Sequence, residues 1–368
     1  MAITVRRIGE EYNQQMLDIL LSSPMDSDGL SVCLDRSPDM LSVPKLFFDS
    51  YKCFGFFIDD RLVGYSMVCR KSLYVNSIPR EIGYLANMYV LPEARKLGWL
   101  YKASEPLFKE VLEEAGLGYA TTLVGNKRTE TMIGRRITKF PFIPHSKPIG
   151  VNCIYNIMIT FNKRNHSEYL VRRATEADTS DIARLLDEEY RDRLFAPVMS
   201  PENLRNTIER RPDFSISDYF IAEKEGRIVG TCSAWDISAI RKLRVMAYRK
   251  QYRTIKLAYS MVAPVLGFPK LPLPGEAFRE IVINDFGVEN RDPEILKSLL
   301  VHVYQEYRKK GYNMIQIGSY DKDPILTAVR GFFTQPLYSH IIFGSADPDI
   351  IEKEGIDCSR PYLDIALT

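Results

Sequence analysis

The stretch NMYVLPEARKLGWLY, residues 87–101, runs from a strand-like segment into a proline, then a basic pair, one glycine and two aromatics. Downstream, Leu100, Ala103, Leu107, Val111 and Ala115 recur on one helical face, and Phe108 and Leu112 widen it. This spacing predicts a helix that starts close to Trp99 and stops at Gly116. The quoted stretch is therefore a strand, a tight loop and a helix amino terminus. The first turn of a helix leaves backbone N–H groups unpaired and carries the positive end of the helix dipole, which together favour an anion such as a pyrophosphate. Gly98 would let the anion approach the backbone, Arg95 would offer a planar donor fork and Lys96 a point charge. Plain turn chemistry would also place a glycine there, so the surrounding sequence has to decide.

That surrounding sequence repeats. VRR at residues 5–7 recurs at 171–173, and RLVG at 61–64 recurs as RIVG at 227–230, with the second motif starting 56 residues after the first in both copies. Met16, Ile19 and Leu20 stand in the same helical phase after Val5 as Ile182, Leu185 and Leu186 do after Val171. Equal spacing combined with equal phase reads as two copies of one unit. In each copy the order is strand, helix, antiparallel hairpin (turning at Asp59 and Asp60 in the first), a longer strand, helix and strands. The expected fold class is α/β (α+β), each copy a mixed, mostly antiparallel sheet flanked by helices. The expected domains are residues 1–161 and 169–368, joined by a polar linker at 162–168. Gly64 to Val90 spans 26 residues whereas Gly230 to Val288 spans 58, so the second copy carries an insertion of about 32 residues.

Arg95-Lys96-Leu97-Gly98-Trp99-Leu100, preceded by an aliphatic strand end and Pro92, resembles the Gln/Arg-x-x-Gly-x-Gly/Ala signature of the GNAT superfamily of acyl-CoA-dependent N-acyltransferases. The resemblance extends to the following helix, to the strand ATTLV at 120–124 with Asn126 beyond it, and to VRRATEAD at 171–178. It covers most of the chain, twice. The resemblance implies acetyl-CoA or another acyl-CoA as co-substrate and a small-molecule or peptide amine as acceptor. It implies that backbone groups around Met88, Tyr89 and Val90 hold the acyl-pantetheine arm. By the same resemblance the N–H groups of Lys96, Leu97, Gly98, Trp99, Leu100 and Tyr101 cradle the pyrophosphate, with Asn126 near the pantetheine.

Three positions depart from the pattern: Leu100 ends the signature, Pro106 falls in the following helix, and Ile133 stands where many members carry a tyrosine acid. Glu81, which lies where some members carry a base, and Tyr84 are the catalytic candidates, although solvation of the one and burial of the other would explain both. The second copy reads GVENRDPEILKSL at 287–299, acidic where a phosphate should bind, and is expected to be degenerate.

With 49 basic and 47 acidic residues the chain has no global charge bias toward nucleic acid or membrane. The six cysteines show no paired spacing and the four histidines none either, so no metal site is expected and a reduced, cytoplasmic protein fits. No apolar run approaches the length of a membrane span. One local patch is basic: residues 237–275 hold eight Lys and Arg and no acid. Val245, Tyr248, Tyr252, Ile255, Tyr259 and Val262 repeat there at helical spacing. A basic amphipathic helix packing its tyrosine stripe on the second domain is expected. Contact with an acidic substrate, nucleic acid or an anionic membrane is the functional alternative. The leading expectation is an acetyltransferase acting on a primary amine. A non-catalytic acyl-CoA-binding scaffold and an aminoacyl-tRNA-dependent transferase are its rivals, and the sequence leaves the oligomeric state open.

Overall fold

The computed structural model describes residues 3–26, 29–95, 103–112, 116–130, 141–164 and 167–367. The first half runs β1 (Ile3–Ile8), α1 (Asn13–Leu21), β2 (Met25–Asp26), β3 (Leu30–Asp35), α2 (Ser42–Phe47), β4 (Ser50–Ile58), β5 (Arg61–Val75) and β6 (Ile78–Val90). It continues with α3 (Glu105–Leu112), β7 (Leu117–Leu123), α4 (Lys127–Glu130) and β8 (His145–Met158). The second half starts with β9 (Leu170–Arg173), α5 (Thr179–Tyr190), α6 (Pro201–Arg210), β10 (Tyr219–Lys224) and β11 (Arg227–Ser233). After β12 (Lys242–Tyr248) and α7 (Gln251–Leu266) come β13 (Glu280–Ile283), β14 (Phe286–Val288), α8 (Pro293–Lys309), β15 (Met314–Tyr320) and β16 (Thr334–Ser345).

The repeat read from sequence is a repeat of strand register. Val5 pairs with Phe56 and Val171 with Ala222, while Gly64 pairs with Val90 and Gly230 with Val288. The first hairpin turns through Asp59 and Asp60, both left-handed (φ 48° and 62°), the geometry that two-residue hairpin turns require. The helical phase also holds: Met16, Ile19, Leu20, Ile182, Leu185 and Leu186 are all buried. Asp292 caps α8, its carboxylate accepting from Glu294 N at 2.9 Å, with Pro293 at the first helical position.

The halves are interlocked. A nine-stranded sheet has the order β1-β4-β5-β6-β7-β16-β8-β15-β13. The last strand of the second half, β16, lies antiparallel between β7 and β8, both of the first half. In turn β8 pairs with β15 of the second half. One hydrophobic core accordingly contains Met16, Tyr84 and Tyr119 together with Trp235, Val282 and Phe343. A four-stranded sheet, β14-β11-β10-β9, belongs to the second half, and a three-stranded sheet, β12-β3-β2, again joins the two.

The insertion differs from its expectation. Residues 242–248 form a strand, not the start of a helix, and Leu243 and Val245 pair with Leu34 and Val32 of β3. The chain breaks at Lys250, left-handed at φ 49°, and only then does α7 begin. The continuous stripe is therefore absent: Val245 is buried in the strand, while Ile255 and Val262 of α7 are exposed. Three of the basic residues have internal carboxylate partners. Arg241 is buried against Glu280 and Gln316, Arg244 pairs with Asp35, and Arg249 with Asp26. No helix among the described residues is long and apolar enough to cross a membrane.

Candidate functional site

Strand β6 positions the site. Its inner edge pairs with β5 along its length, but between Tyr65 and Met67 the register shifts, and Asn87 opposite this shift is left-handed with φ 54°. Asn tolerates that conformation better than most side chains. A bulge adds one residue and so reverses the alternation of faces. Tyr84 and Ala86 before it, and Tyr89 after it, consequently share one face, where Tyr89 lies 5.7 Å from Tyr65, ring centre to ring centre.

On its outer edge β6 pairs with β7 at Gly83–Gly118, Tyr84–Tyr119 and Leu85–Ala120, and the parallel ladder ends there. Beyond this point the strands part, leaving Ala86 to Val90 without a ladder partner on that side among the described residues. The pairing is fixed from the opposite face by α3: a Cβ at Gly83 would lie 2.4 Å from the carbonyl oxygen of Val111, so the glycine lets the helix approach.

The tyrosine face of this strand end is aromatic and tightly packed. Tyr84 stacks on Phe48 at 5.6 Å and lies 4.5 Å from the Tyr119 ring. Its hydroxyl meets Thr121 Oγ1 at 3.1 Å, and burial pushes its pKa up to about 12. Burial also raises the Tyr89 phenol, with Arg36 acting in the opposite direction. Beside the bulge, Arg36, Phe48, Cys69, Tyr84, Asn87 and Leu367 are among the residues lining a small, partly open cavity.

The other face carries Glu81, which is separated from Tyr84 by the sheet. Its carboxylate is half exposed and meets Arg70 Nη1 at 3.2 Å. Arg70 also donates to the Glu110 carbonyl at 2.6 Å and to its carboxylate at 3.3 Å. Arg7 donates to the same carboxylate, and Lys52 forms a short contact with it. Burial would raise the Glu110 carboxyl, but these cations hold it below its ordinary value.

The remaining expected residues are distributed as follows. Met88 is partly exposed. Val90 is buried, and its carbonyl accepts from Arg95 Nε at 2.6 Å. Lys96, Leu97, Gly98, Trp99, Leu100 and Tyr101 lie outside the described residues, as does Ile133. The described helix begins at Glu105, which puts Pro106 in its first turn, where a proline breaks no hydrogen bond within α3. Asn126 is exposed just past the carboxyl end of β7, and its carbonyl accepts from Glu130 N at 2.9 Å to open α4. Because β6 and β7 are parallel, Asn126 and the parted segment of β6 lie toward the same end of the sheet. Among the described residues no three His, Cys, Asp or Glu side chains gather as metal ligands.

The second half treats the same position differently. Asp285 precedes Val288 as Asn87 precedes Val90, and here the strand is fully broken, into β13 and β14. Arg211, at the end of α6, donates to Asp285 Oδ2 at 2.6 Å, and Tyr219 OH to the same oxygen at 2.9 Å. The Arg211 and Asp285 side chains are each only 4% exposed, so the position is filled by an internal ion pair. Sequence reasoning passed over Arg36, Asn87 and Asp285. Asn87 stands in the quoted stretch, but a bulge residue is apparent only once the register is known.

No family model matches the sequence, and no curated protein does. Solved structures do match in fold. A probable N-acyltransferase from Enterococcus faecalis aligns with TM-score 0.51 at 12% identity over 95% of this chain and 74% of its own. A GCN5-related N-acetyltransferase from Anabaena variabilis gives 0.52 at 9% identity, over 94% of this chain and 73% of its own. Saccharomyces cerevisiae N-myristoyltransferase with bound myristoyl-CoA gives 0.56 at 10% identity, over 94% and 79%. The chain shares the fold of these N-acyltransferase structures.

Proposed function

We propose that the chain is an acyl-CoA-dependent N-acyltransferase that moves an acyl group, in the first instance acetyl, to a primary amine, with the donor held by the first half. The observation that carries this reading is the parting of β6 from β7 after Leu85–Ala120 beside the Asn87 bulge. Among the described residues it leaves the outer edge of β6 beyond Leu85 without a strand partner, where the amides of an extended arm could pair, and a pantetheine arm is such a partner. The acyl-CoA bound to the yeast relative supports the same donor class.

In the transfer the amine nitrogen forms a bond to the thioester carbonyl carbon, the C–S bond breaks, and the thiolate needs a proton. Backbone N–H groups at the bulge would polarise the carbonyl oxygen. Tyr84, still protonated at neutral pH, is suited to donate to the departing thiolate and unsuited to act as a base. Water would carry the amine's proton away. Glu81, paired with Arg70 on the opposite face, has no part in this scheme. The Arg211–Asp285 pair fills the corresponding position of the second half, which supports a single donor site per chain.

The test is calorimetry with acetyl-CoA on the wild type and on Gly98→Asp, which sets an anion where the pyrophosphate would lie. Micromolar binding that the substitution abolishes, with the fold intact by circular dichroism, supports the reading. Absence of binding to the wild type refutes it.

A further inference from the structure

Arg36 follows β3 and is 1% exposed, yet its Nε and Nη1 have no hydrogen-bond partner among the described residues. A buried guanidinium is ordinarily compensated by a carboxylate, because transfer of a bare charge out of water is costly. The groups whose electrostatics Arg36 touches are Tyr65, Cys69, Tyr84 and Tyr89, and burial raises the pKa of all four, so none supplies a negative charge at neutral pH. Two carboxylates nearby in sequence are engaged elsewhere. Asp35 is taken by Arg244 and the Ser37 N–H, and Asp39 by Lys45 and the Leu41 N–H. Arg36 instead lines the cavity at the Asn87 bulge.

The second half of the chain provides an internal comparison. There a buried arginine from a different connection, Arg211 just past α6, finds its counter-charge in Asp285 at the bulge position. In the first half that position is Asn87, which is neutral. The second copy carries its own anion at that position, and among the described residues no carboxylate pairs with Arg36 in the first.

We infer that the acceptor amine also bears a carboxylate and that Arg36 binds it, so that the substrate is an amino acid or a compact amino-carboxylic acid. This rests on the reading of the same cleft as the place of acyl transfer. The guanidinium fork matches a planar carboxylate geometrically.

The experiment uses the full chain and Arg36→Met, with propionate, its neutral counterpart propionamide and inorganic phosphate as probes in thermal unfolding. Propionate should raise the Tm of the wild type and propionamide should not, while Arg36→Met should respond to neither. Without any probe, Arg36→Met should melt at or above the wild type, since an uncompensated charge has been removed. In thiol-release assays with acetyl-CoA, the preference for β-alanine over β-alaninamide should fall by about 10- to 150-fold in the variant, the loss expected for one charged hydrogen bond. A lower Tm for the unliganded variant with an undiminished propionate response would make Arg36 a structural residue and overturn the proposal. So would a wild type indifferent to propionate, or one that responds to phosphate alone. Acetyl-CoA calorimetry separates the two readings: loss of donor binding with the propionate response intact removes the transferase assignment and leaves the carboxylate site standing.

Discussion

Replacing Asp285 with Asn gives the second half the residue found at the bulge of the first. The change is nearly isosteric and removes only the charge, yet it strands Arg211, whose guanidinium is 4% exposed and has Asp285 at 2.6 Å. It also removes the carboxylate that accepts from Tyr219 OH at 2.9 Å and Tyr190 OH at 3.4 Å, leaving a weaker amide acceptor. Breaking one side of a buried pair costs about 3–5 kcal/mol. At about 2.1 cal/mol/K per residue, unfolding of the 368 residues as one unit carries roughly 0.8 kcal/mol/K, so Tm should fall by about 4–6 °C. Calorimetric melting of the variant beside the wild type measures this directly. The double variant Arg211→Met, Asp285→Leu should recover most of the loss, because two apolar groups replace two charges. A drop under about 1 °C for Asp285→Asn, on the same scale, would refute the account of the pair as the filled counterpart of an open site.

Other outcomes follow from the geometry. Gly83→Ala would set a Cβ 2.4 Å from the Val111 carbonyl, forcing α3 off the β6–β7 junction. It should cost about 1–3 kcal/mol in denaturant melts and weaken acetyl-CoA binding. Asp178 is held at about 2 by its bond to Arg172, below its unfolded value, so its stabilisation is complete above about pH 4 and is lost as pH falls toward 2. Asp178→Asn should therefore be less stable than the wild type by about 1 kcal/mol at pH 7 and no less stable near pH 2, as urea midpoints across that range would test. Glu81→Gln should leave acyl transfer within about twofold, since it loses only a half-exposed pairing with Arg70; a hundredfold loss in thiol release would return it to the mechanism.

The sequence made the doubled unit legible because register survives as spacing: Val5 to Phe56 and Val171 to Ala222 are the same offset in both ladders. Partner choice was not legible. Strands β8 and β16 are both long runs whose alternation tells which face is buried but not which strand lies alongside. The insertion misled for a related reason. Val245, Tyr248 and Tyr252 fit a helical spacing, but the first two lie on a strand, and the break at Lys250 carries no glycine or proline to mark it. Glu81 and Tyr84 are close in sequence, but residues three apart on a strand face opposite ways. Arg36 left no signal at all, because a lone arginine in an Asp-Arg-Ser-Pro turn reads as solvated, and only its burial beside Asn87 distinguishes it.

The exchanged strands also set a timetable for synthesis. Leu123 at the end of β7 pairs with Ser339, 216 residues later. At ribosomal rates of about 5–20 residues per second, the first half would wait roughly 10–40 s for that partner. Proteolysis of ribosome-bound chains arrested before and after β16 would detect the delay as a late gain in protection of β7; early protection would disprove it. During that interval the edge of β7 is an unpaired template, so the nascent chain is exposed to wrong pairing at the strand that borders the cleft.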